Sequence, residues 1–327
     1  MEDERRPRAI RGTLTHMSEE ADEELDLSRP FTRKQAIAAG MKPKDLRVAG
    51  VRRLHRSVYV SADSADSPQL RIQAALHLFV GSAFASHASA ARVWDLPIPT
   101  LPDEHITVLH AKHRRANPGI RCHVQKAVDV RVREGIRVSS PVQLFVELAS
   151  LLTLVDLVVL GDAMVKKGLT TPTTLVTHCE SSSVRGAKAA VRAARFVRAK
   201  VDSPMESRLR MLLVLAGLPE PEINLVIRDV DGEPLRRYDL SWPQVKVIVE
   251  YDGRHHIDRK NQWESDLDRR EAIDDSEWRI LVVVANGIYN HPEVTVQKVW
   301  ALLRKRGLAG VPPRPADDWR PHFPGRS

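Results

Sequence analysis

From residue 31 onward, stretches with helical spacing of apolar residues take turns with short β-branched or alternating runs. Thr32 stands where it can cap a helix through Ala39, Gly40 can end it, and Pro43 suits the first turn of a second helix. Val51-Arg52-Arg53-Leu54-His55-Arg56-Ser57-Val58-Tyr59-Val60 then predicts a strand. Between 65 and 200, helical stretches such as 70–80 and 143–152 mix with strands such as 106–109 and 136–138. Ser181-Ser182-Ser183 marks a joint before a helix over 184–200, and Asp202-Ser203-Pro204 caps the next helix, which sets a domain boundary near 200. Beyond it the pattern predicts a helix over 205–216, a strand over 223–228, a turn at Asp229-Val230-Asp231-Gly232, and a hairpin of 235–242 with 245–251. A charged helix over 261–276, an apolar strand over 278–284 and a closing helix over 294–306 complete the series.

These elements predict an α+β protein in five parts. Residues 1–28 are polar, with the acidic run Ser18-Glu19-Glu20-Ala21-Asp22-Glu23-Glu24, and predict a flexible arm or a short first helix. Residues 29–64 predict a small winged helix-turn-helix whose Arg52, Arg53 and Arg56 form a basic wing, with a helical hairpin and solvated arginines as the alternative. Residues 65–200 form a mixed α/β middle region, and 201–308 have the α-β-β-β-α-β-α order of a restriction-endonuclease-like mixed sheet flanked by helices. The Pro-rich tail 309–327 reads as a loosely packed extension.

Composition narrows the setting. A chain of 327 residues with 43% hydrophobic content can bury two or three modest cores, which excludes a disordered chain. Cys122 and Cys179 lie far apart and offer no disulfide framework, fitting a reducing, cytoplasmic compartment. The charged start lacks an apolar segment and no apolar run is long enough to span a bilayer, so secretion and membrane insertion are not expected. The formal net charge of +8 favours a polyanionic partner, DNA first, although charge alone leaves acidic proteins and lipid headgroups open.

The chemistry concentrates in Tyr238-Asp239-Leu240-Ser241-Trp242-Pro243 and the following run to His256. With Pro243-Gln244 as a two-residue loop, Asp239 falls opposite Ile248, and Lys246, Ile248, Glu250 and Asp252 share its face. Glu250 is then its diagonal neighbour at about 7–8 Å, a span that two carboxylates close around one hard ion, Mg²⁺ or Mn²⁺. The alternative is a pair of solvated acids at a sheet end. Lys246 would lie roughly 13 Å from Glu250, four strand residues away, whereas Lys260 is freer to approach. Lys188, Arg192 and Arg195 recur at helical spacing, as a solvated face or as a track for a DNA backbone. His105, His110, His113 and His123, with Cys122, raise the question of zinc, but they lack the short paired spacings of structural sites and read as surface or hydrogen-bonded core residues.

Two resemblances add to this. Ser86-His87-Ala88-Ser89-Ala90-Ala91-Arg92-Val93-Trp94-Asp95-Leu96-Pro97 and Gly135-Ile136-Arg137-Val138-Ser139-Ser140-Pro141 resemble the region after the winged helix in AbiEi-type antitoxins of abortive-infection systems. That likeness spans roughly 30–200 and implies DNA binding, with a cognate toxin or defence-system protein as partner. Ser203-Pro204-Met205-Glu206-Ser207-Arg208-Leu209-Arg210, the Asp239 segment, Glu250-Tyr251-Asp252-Gly253 with His256, and Asp266, Arg269 and Trp278 resemble the Vsr-like endonuclease domain of the PD-(D/E)XK nuclease superfamily, over about 200–306.

The second resemblance implies metal-dependent cleavage of phosphodiesters. Asp239 would be the central metal ligand, Glu250 the second acid, Glu206 the helix acid bonding a metal-bound water, and His256 the group that orients or deprotonates the attacking water, with His255 as substitute. Asp252 stands where many relatives carry lysine, which shifts charge stabilisation to the ion. Arg269 and Arg270 either pair with Asp266 or touch phosphate, and Trp278 reads as packing. Glu277 replaces a glycine and Val282 an arginine of the family pattern. The competing expectation is a non-catalytic AbiEi-like antitoxin or transcriptional regulator that holds DNA.

Overall fold

Thr32 and Gln35 close a reciprocal box around helix α1 (Arg33–Ala38): Gln35 N donates to Thr32 Oγ1 at 3.2 Å and Thr32 N donates to Gln35 Oε1 at 2.8 Å. Gly40, at φ 83°, ends the helix in the left-handed region that a residue without Cβ enters freely. The structure, a computed structural model, describes residues 25–47, 50–126, 128–228, 234–253 and 278–325. The second helix expected at Pro43 is a single 3-10 turn, Asp45–Arg47, in which only Leu46 is buried; so little apolar surface does not sustain a longer helix. The run 51–60 is two strands, β2 (Val51–His55) and β3 (Val58–Ser61), because Ser57 turns the chain at φ 66°. With β1 (Phe31–Thr32) they form an antiparallel sheet in the order β1-β3-β2, closed by Phe31 and Tyr59 stacked at 6.2 Å. This is the unit Met1–Ala65; Asp66–Ser327 forms the second.

In the second unit, Ser-Pro and Thr-Pro pairs set where helices begin, the hydroxyl accepting from a first-turn N–H and proline supplying a preset φ. Ser67 starts α2 (Pro68–Leu76) in this way. Helix α3 (His87–Val93) follows β4 (Phe84–Ala85). Ser140 starts α4 (Pro141–Leu148), Thr153 caps α5 (Leu154–Lys166), and Thr171 starts α6 (Pro172–Ser181). Helix α7 is Ala187–Ala194, shorter than expected, and Ser203 starts α8 (Pro204–Leu215). Strands β5 (Glu104–Val108), β6 (Ile120–Val124), β7 (Val130–Arg133) and β8 (Ile136–Ser139) join β4 in a five-stranded mixed sheet ordered β6-β5-β4-β8-β7.

The C-terminal part adds a four-stranded sheet ordered β12-β11-β10-β9, from β9 (Glu222–Arg228), β10 (Pro234–Trp242), β11 (Val247–Tyr251) and β12 (Arg279–Val283). The first three form an antiparallel meander, and β12 runs parallel to β11. Two helices follow, α9 (Ala285–Tyr289) and α10 (Pro292–Lys305). The turn at 229–232 and the charged helix expected over 261–276 lie outside the described residues.

The hairpin register differs from the expected one. Pro243 opens a 3-10 turn, Pro243–Val245, and Lys246 follows at φ 53°, so four residues connect the strands where a two-residue loop was expected. The pairs are Leu240↔Val249, Ser241↔Ile248 and Trp242↔Val247. A shift of two keeps every side chain on its face but moves the partner position of Asp239 from Ile248 to Glu250, directly across rather than diagonal.

One hydrophobic core runs through the second unit, from Phe145 and Leu160 through Leu212 and Val249 to Val299. The expected boundary near 200 falls inside this unit. Burying each such side chain is worth about 1.5–3 kcal/mol, so the continuous core couples the halves. The tail also departs from expectation: Trp319 and Phe323 are 3% and 4% exposed within the core, and Ala316 N donates to Ala216 O at 2.9 Å. Two aromatic residues among the prolines supply the apolar area that anchors it. No helix among the described residues is long and apolar enough to cross a membrane.

Candidate functional site

The two faces of the β10–β11 hairpin follow from strand alternation. Leu240, Trp242, Val247 and Val249 pack into the core, so Asp239, Ser241, Ile248 and Glu250 point to the other side. Asp239 and Glu250 are half-buried at the end of the paired segment, and Tyr251 N donates to Asp239 Oδ2 at 2.8 Å. That bond fixes one carboxylate oxygen of Asp239. Asp252 is half-buried just past β11, where its N–H continues the ladder to Val283 O at 2.9 Å.

Helix α8 brings the third acid. Glu206 occupies the first turn, its N–H bonded to Ser203 Oγ at 3.1 Å and its Oε2 accepting from Asp202 N at 2.9 Å, with 8% of the residue exposed. Burial pushes the Glu206 carboxyl above its ordinary range; the charges of Asp239 and Asp202 push it further up, against hydrogen bonds from Asp202 and Ser203. Glu206 and Asp239 are thus electrostatic neighbours. Asp202 is already matched: it pairs with Arg237, lies 3.7 Å from Lys166 Nζ and accepts from Asn224 Nδ2 at 3.1 Å.

Arg210, two turns along α8 from its start, is fully buried and pairs with Asp162 of α5 at 2.8 Å. Asp162 also accepts from Ser207 Oγ at 2.7 Å and from Arg198 N at 2.8 Å. Arg208 pairs with Asp156 at the start of α5. These links lock the helix that carries Glu206 to the middle region, a positioning set that sequence reading missed because the partners are about 50 residues apart.

Other candidates divide. Arg53 and Arg56 are exposed on the β2–β3 hairpin, whereas Arg52 is half-buried and donates to Ser64 O at 2.9 Å. Lys188 and Arg192 are exposed on α7, and Arg195, at its end, pairs with Glu180 at 3.2 Å. Lys246 lies outside β11, in the turn. His255, His256, Lys260, Asp266, Arg269, Arg270 and Glu277 lie outside the described residues. Trp278 is half-buried, and Val282 is 59% exposed on β12.

Among the described residues, the group of three whose metal-binding atoms all lie within 4.8 Å of one another is not the acidic one; it is His87, His105 and His123. The sequence spacing singles out His105 and His123 of this group, and His87 joins them only through the fold. His110 and His113 stand apart as an edge-to-face pair at 5.6 Å.

No family model matches the chain. Two Mycobacterium tuberculosis proteins, Uncharacterized protein MT2308 of strain CDC 1551 / Oshkosh and Uncharacterized protein Rv2248 of strain ATCC 25618 / H37Rv, are each 26% identical to it over 131 residues. The match covers 40% of this chain and 48% of each relative, so the chain spans about half the length of these curated relatives. The crystal structure of the RV2827C protein from Mycobacterium tuberculosis aligns over 55% of this chain and 74% of its own, at 14% identity and a TM-score of 0.37, a likeness too slight to bear on fold or function.

Proposed function

We propose that the chain is a metal-dependent DNA endonuclease with a Vsr-like catalytic domain of the PD-(D/E)XK kind in its C-terminal part and an AbiEi-like N-terminal unit, one short helix beside a β2–β3 wing, that holds DNA. The observation that carries this reading is the placement of three acids around one end of the hairpin: Asp239 and Glu250, whose positions face each other when the β10–β11 register is extended by one pair, and Glu206 of α8, which feels the charge of Asp239. The helix, three-stranded meander and parallel fourth strand of α8, β9, β10, β11 and β12 support it, as do the exposed Arg53 and Arg56.

The donor set fits a hard divalent ion, because Asp239, Glu250 and Glu206 offer only oxygen. Magnesium or manganese held by Asp239 and Glu250 would polarise a phosphoryl oxygen and lower the pKa of water. The Tyr251 N–H orients the Asp239 carboxylate, and Glu206 would accept a hydrogen bond from a metal-bound water. His256 takes the proton of the attacking water, a task suited to an imidazole with an ordinary pKa of about 6.5. Asp252 brings no cation where lysine would help, so the site depends on its ion more heavily than a lysine-bearing one. The chain acts in the cytoplasm, with DNA as substrate and a toxin or defence-system protein as further partner.

That same aspartate is the specific feature favouring a second reading, a DNA-holding regulator or antitoxin without cleavage. Plasmid nicking with Mg²⁺ or Mn²⁺, run beside DNA retention for wild type and Asp239→Ala, separates the two. The endonuclease predicts nicking by wild type that disappears in Asp239→Ala while retention persists. Retention unchanged by the substitution, with no nicking of supercoiled, mismatched or single-stranded substrates by wild type, supports the regulator and ends the endonuclease reading.

A further inference from the structure

The histidine cluster lies in the middle region and takes no part in the proposed cleavage. His105 sits on β5 and His123 on β6, parallel neighbours in which Thr107 pairs with His123 and His105 with Arg121, so both imidazoles occupy one face of the sheet. His87 is the first residue of α3, held at φ 45°, and its ring stacks on that of His123 with centroids 3.8 Å apart. His123 Nε2 and His105 Nδ1 approach to 3.1 Å.

We propose that His87, His105 and His123 form a binding site for one transition-metal ion, of which zinc is the type. A tetrahedral zinc with bonds of about 2.0–2.1 Å sets its nitrogen ligands about 3.3 Å apart. The 3.1 Å approach of His105 and His123 is close to that spacing, and the three ligand atoms lie within 4.8 Å of one another; because His87 and His123 stack at 14° from parallel and each lone pair lies in its ring plane, binding requires the His87 ring to turn out of the stack. Imidazole nitrogen suits zinc rather than magnesium.

The surroundings are those of metal-binding histidines, whose second ring nitrogen usually bonds to oxygen and so fixes the ring. His87 Nδ1 lies 3.0 Å from Ser86 Oγ and 3.8 Å from the Glu147 carboxylate, which leaves Nε2 for the ion. Ser86 is fixed in turn by Thr107 Oγ1 at 2.7 Å, while Glu147 accepts from His87 N at 3.1 Å and from Ser139 Oγ at 2.9 Å. Glu147 is thus a positioning residue for His87; of the two arginines whose charge reaches His105, Arg121 and Arg92, the second is already paired with Glu104 at 2.9 Å. The alternative, a stack of hydrogen-bonded imidazoles without an ion, makes a different prediction in each measurement below.

The full-length chain is equilibrated with Zn²⁺ in excess Mg²⁺, which occupies the oxygen site, then desalted and assayed for metal. One equivalent of zinc on wild type and on Asp239→Ala, falling at least about tenfold in His123→Gln and His87→Gln that keep the wild-type circular dichroism, supports the site. Less than about a tenth of an equivalent on wild type, or equal uptake by a folded histidine variant, overturns it. Zinc X-ray absorption on the wild-type complex needs no variant: scattering from three imidazoles is expected, and a shell dominated by oxygen overturns the assignment even if zinc is retained.

Discussion

Replacing Arg210 with methionine tests what holds α8, and with it Glu206, against the middle region. Arg210 is fully buried and Asp162 is 2% exposed, so the substitution leaves a carboxylate in the interior with Ser207 Oγ and Arg198 N as its donors. Removing one partner of a buried ion pair costs about 3–5 kcal/mol, because the remaining charge keeps its desolvation penalty and loses its counter-ion. Asp162→Asn strands Arg210 in the same way, with Glu220 Oε1 at 3.5 Å as its remaining acidic neighbour.

The double variant removes both charges while the asparagine oxygen can still accept from Ser207 and Arg198, so its loss falls well below the sum. A coupling of about 2–3 kcal/mol is expected between the two positions. Urea unfolding followed by circular dichroism on the four proteins measures it, and each single variant melts lower by about 2–4 °C per kcal/mol. If the single effects add to within about 0.5 kcal/mol, Arg210 and Asp162 do not share an interaction and the link between α5 and α8 has been misassigned.

Two further expectations concern the tail and the histidine face. Trp319→Ala removes a ring that is 3% exposed in the core and lowers stability by about 3–5 kcal/mol; a change below about 0.5 kcal/mol in a melting experiment would mean that the tail is not anchored. In chelator-treated protein, His87, pushed down to about 2 by burial, stays neutral when folded but protonates near 6.5 when unfolded, so stability is lost as pH falls below about 6.5. Glu147 acts oppositely: burial pushes it up to about 7, so its contribution is full below its ordinary pKa and is lost as pH rises through 7. Glu147→Gln deletes that opposing effect, and its stability rises with pH more steeply than that of wild type by up to about 1.4 kcal/mol per pH unit between pH 5 and 6.5. Parallel profiles in urea titrations would contradict this.

Local chemistry was legible where it acts locally. The Thr32 cap, the proline-started helices and the apolar strands of the C-terminal sheet follow from residues within a few positions of each other. The hairpin was legible in kind but not in register, since proline at 243 favours a 3-10 turn and adds two residues to the connection. Because the shift is even, the face shared by Asp239 and Glu250 survived it. What could not be seen was contact made by packing: Asp162 meets Arg210 across 48 positions, and His87 meets His123 across 36. The zinc question, asked of His105, His110, His113 and His123 at sequence spacing, found two true neighbours and two others. The third came from the first turn of a helix folded over the sheet. The tail was misjudged from its prolines, when two aromatic side chains decide its place.

On these readings the chain carries two sites with opposite donor chemistry, and the difference has a consequence for how they are loaded. Carboxylates alone select a small hard ion that exchanges readily and keeps water in its shell, as phosphodiester cleavage requires. Neutral imidazoles on a sheet face, braced by Glu147, select a borderline-soft ion that stays. The histidine ion would tie α3 to β5 and β6 as a permanent part of the middle region, whereas the acidic site fills only when magnesium or manganese is present. Chelation that removes the first should therefore loosen the middle region, and depletion of magnesium should stop cleavage without changing the fold.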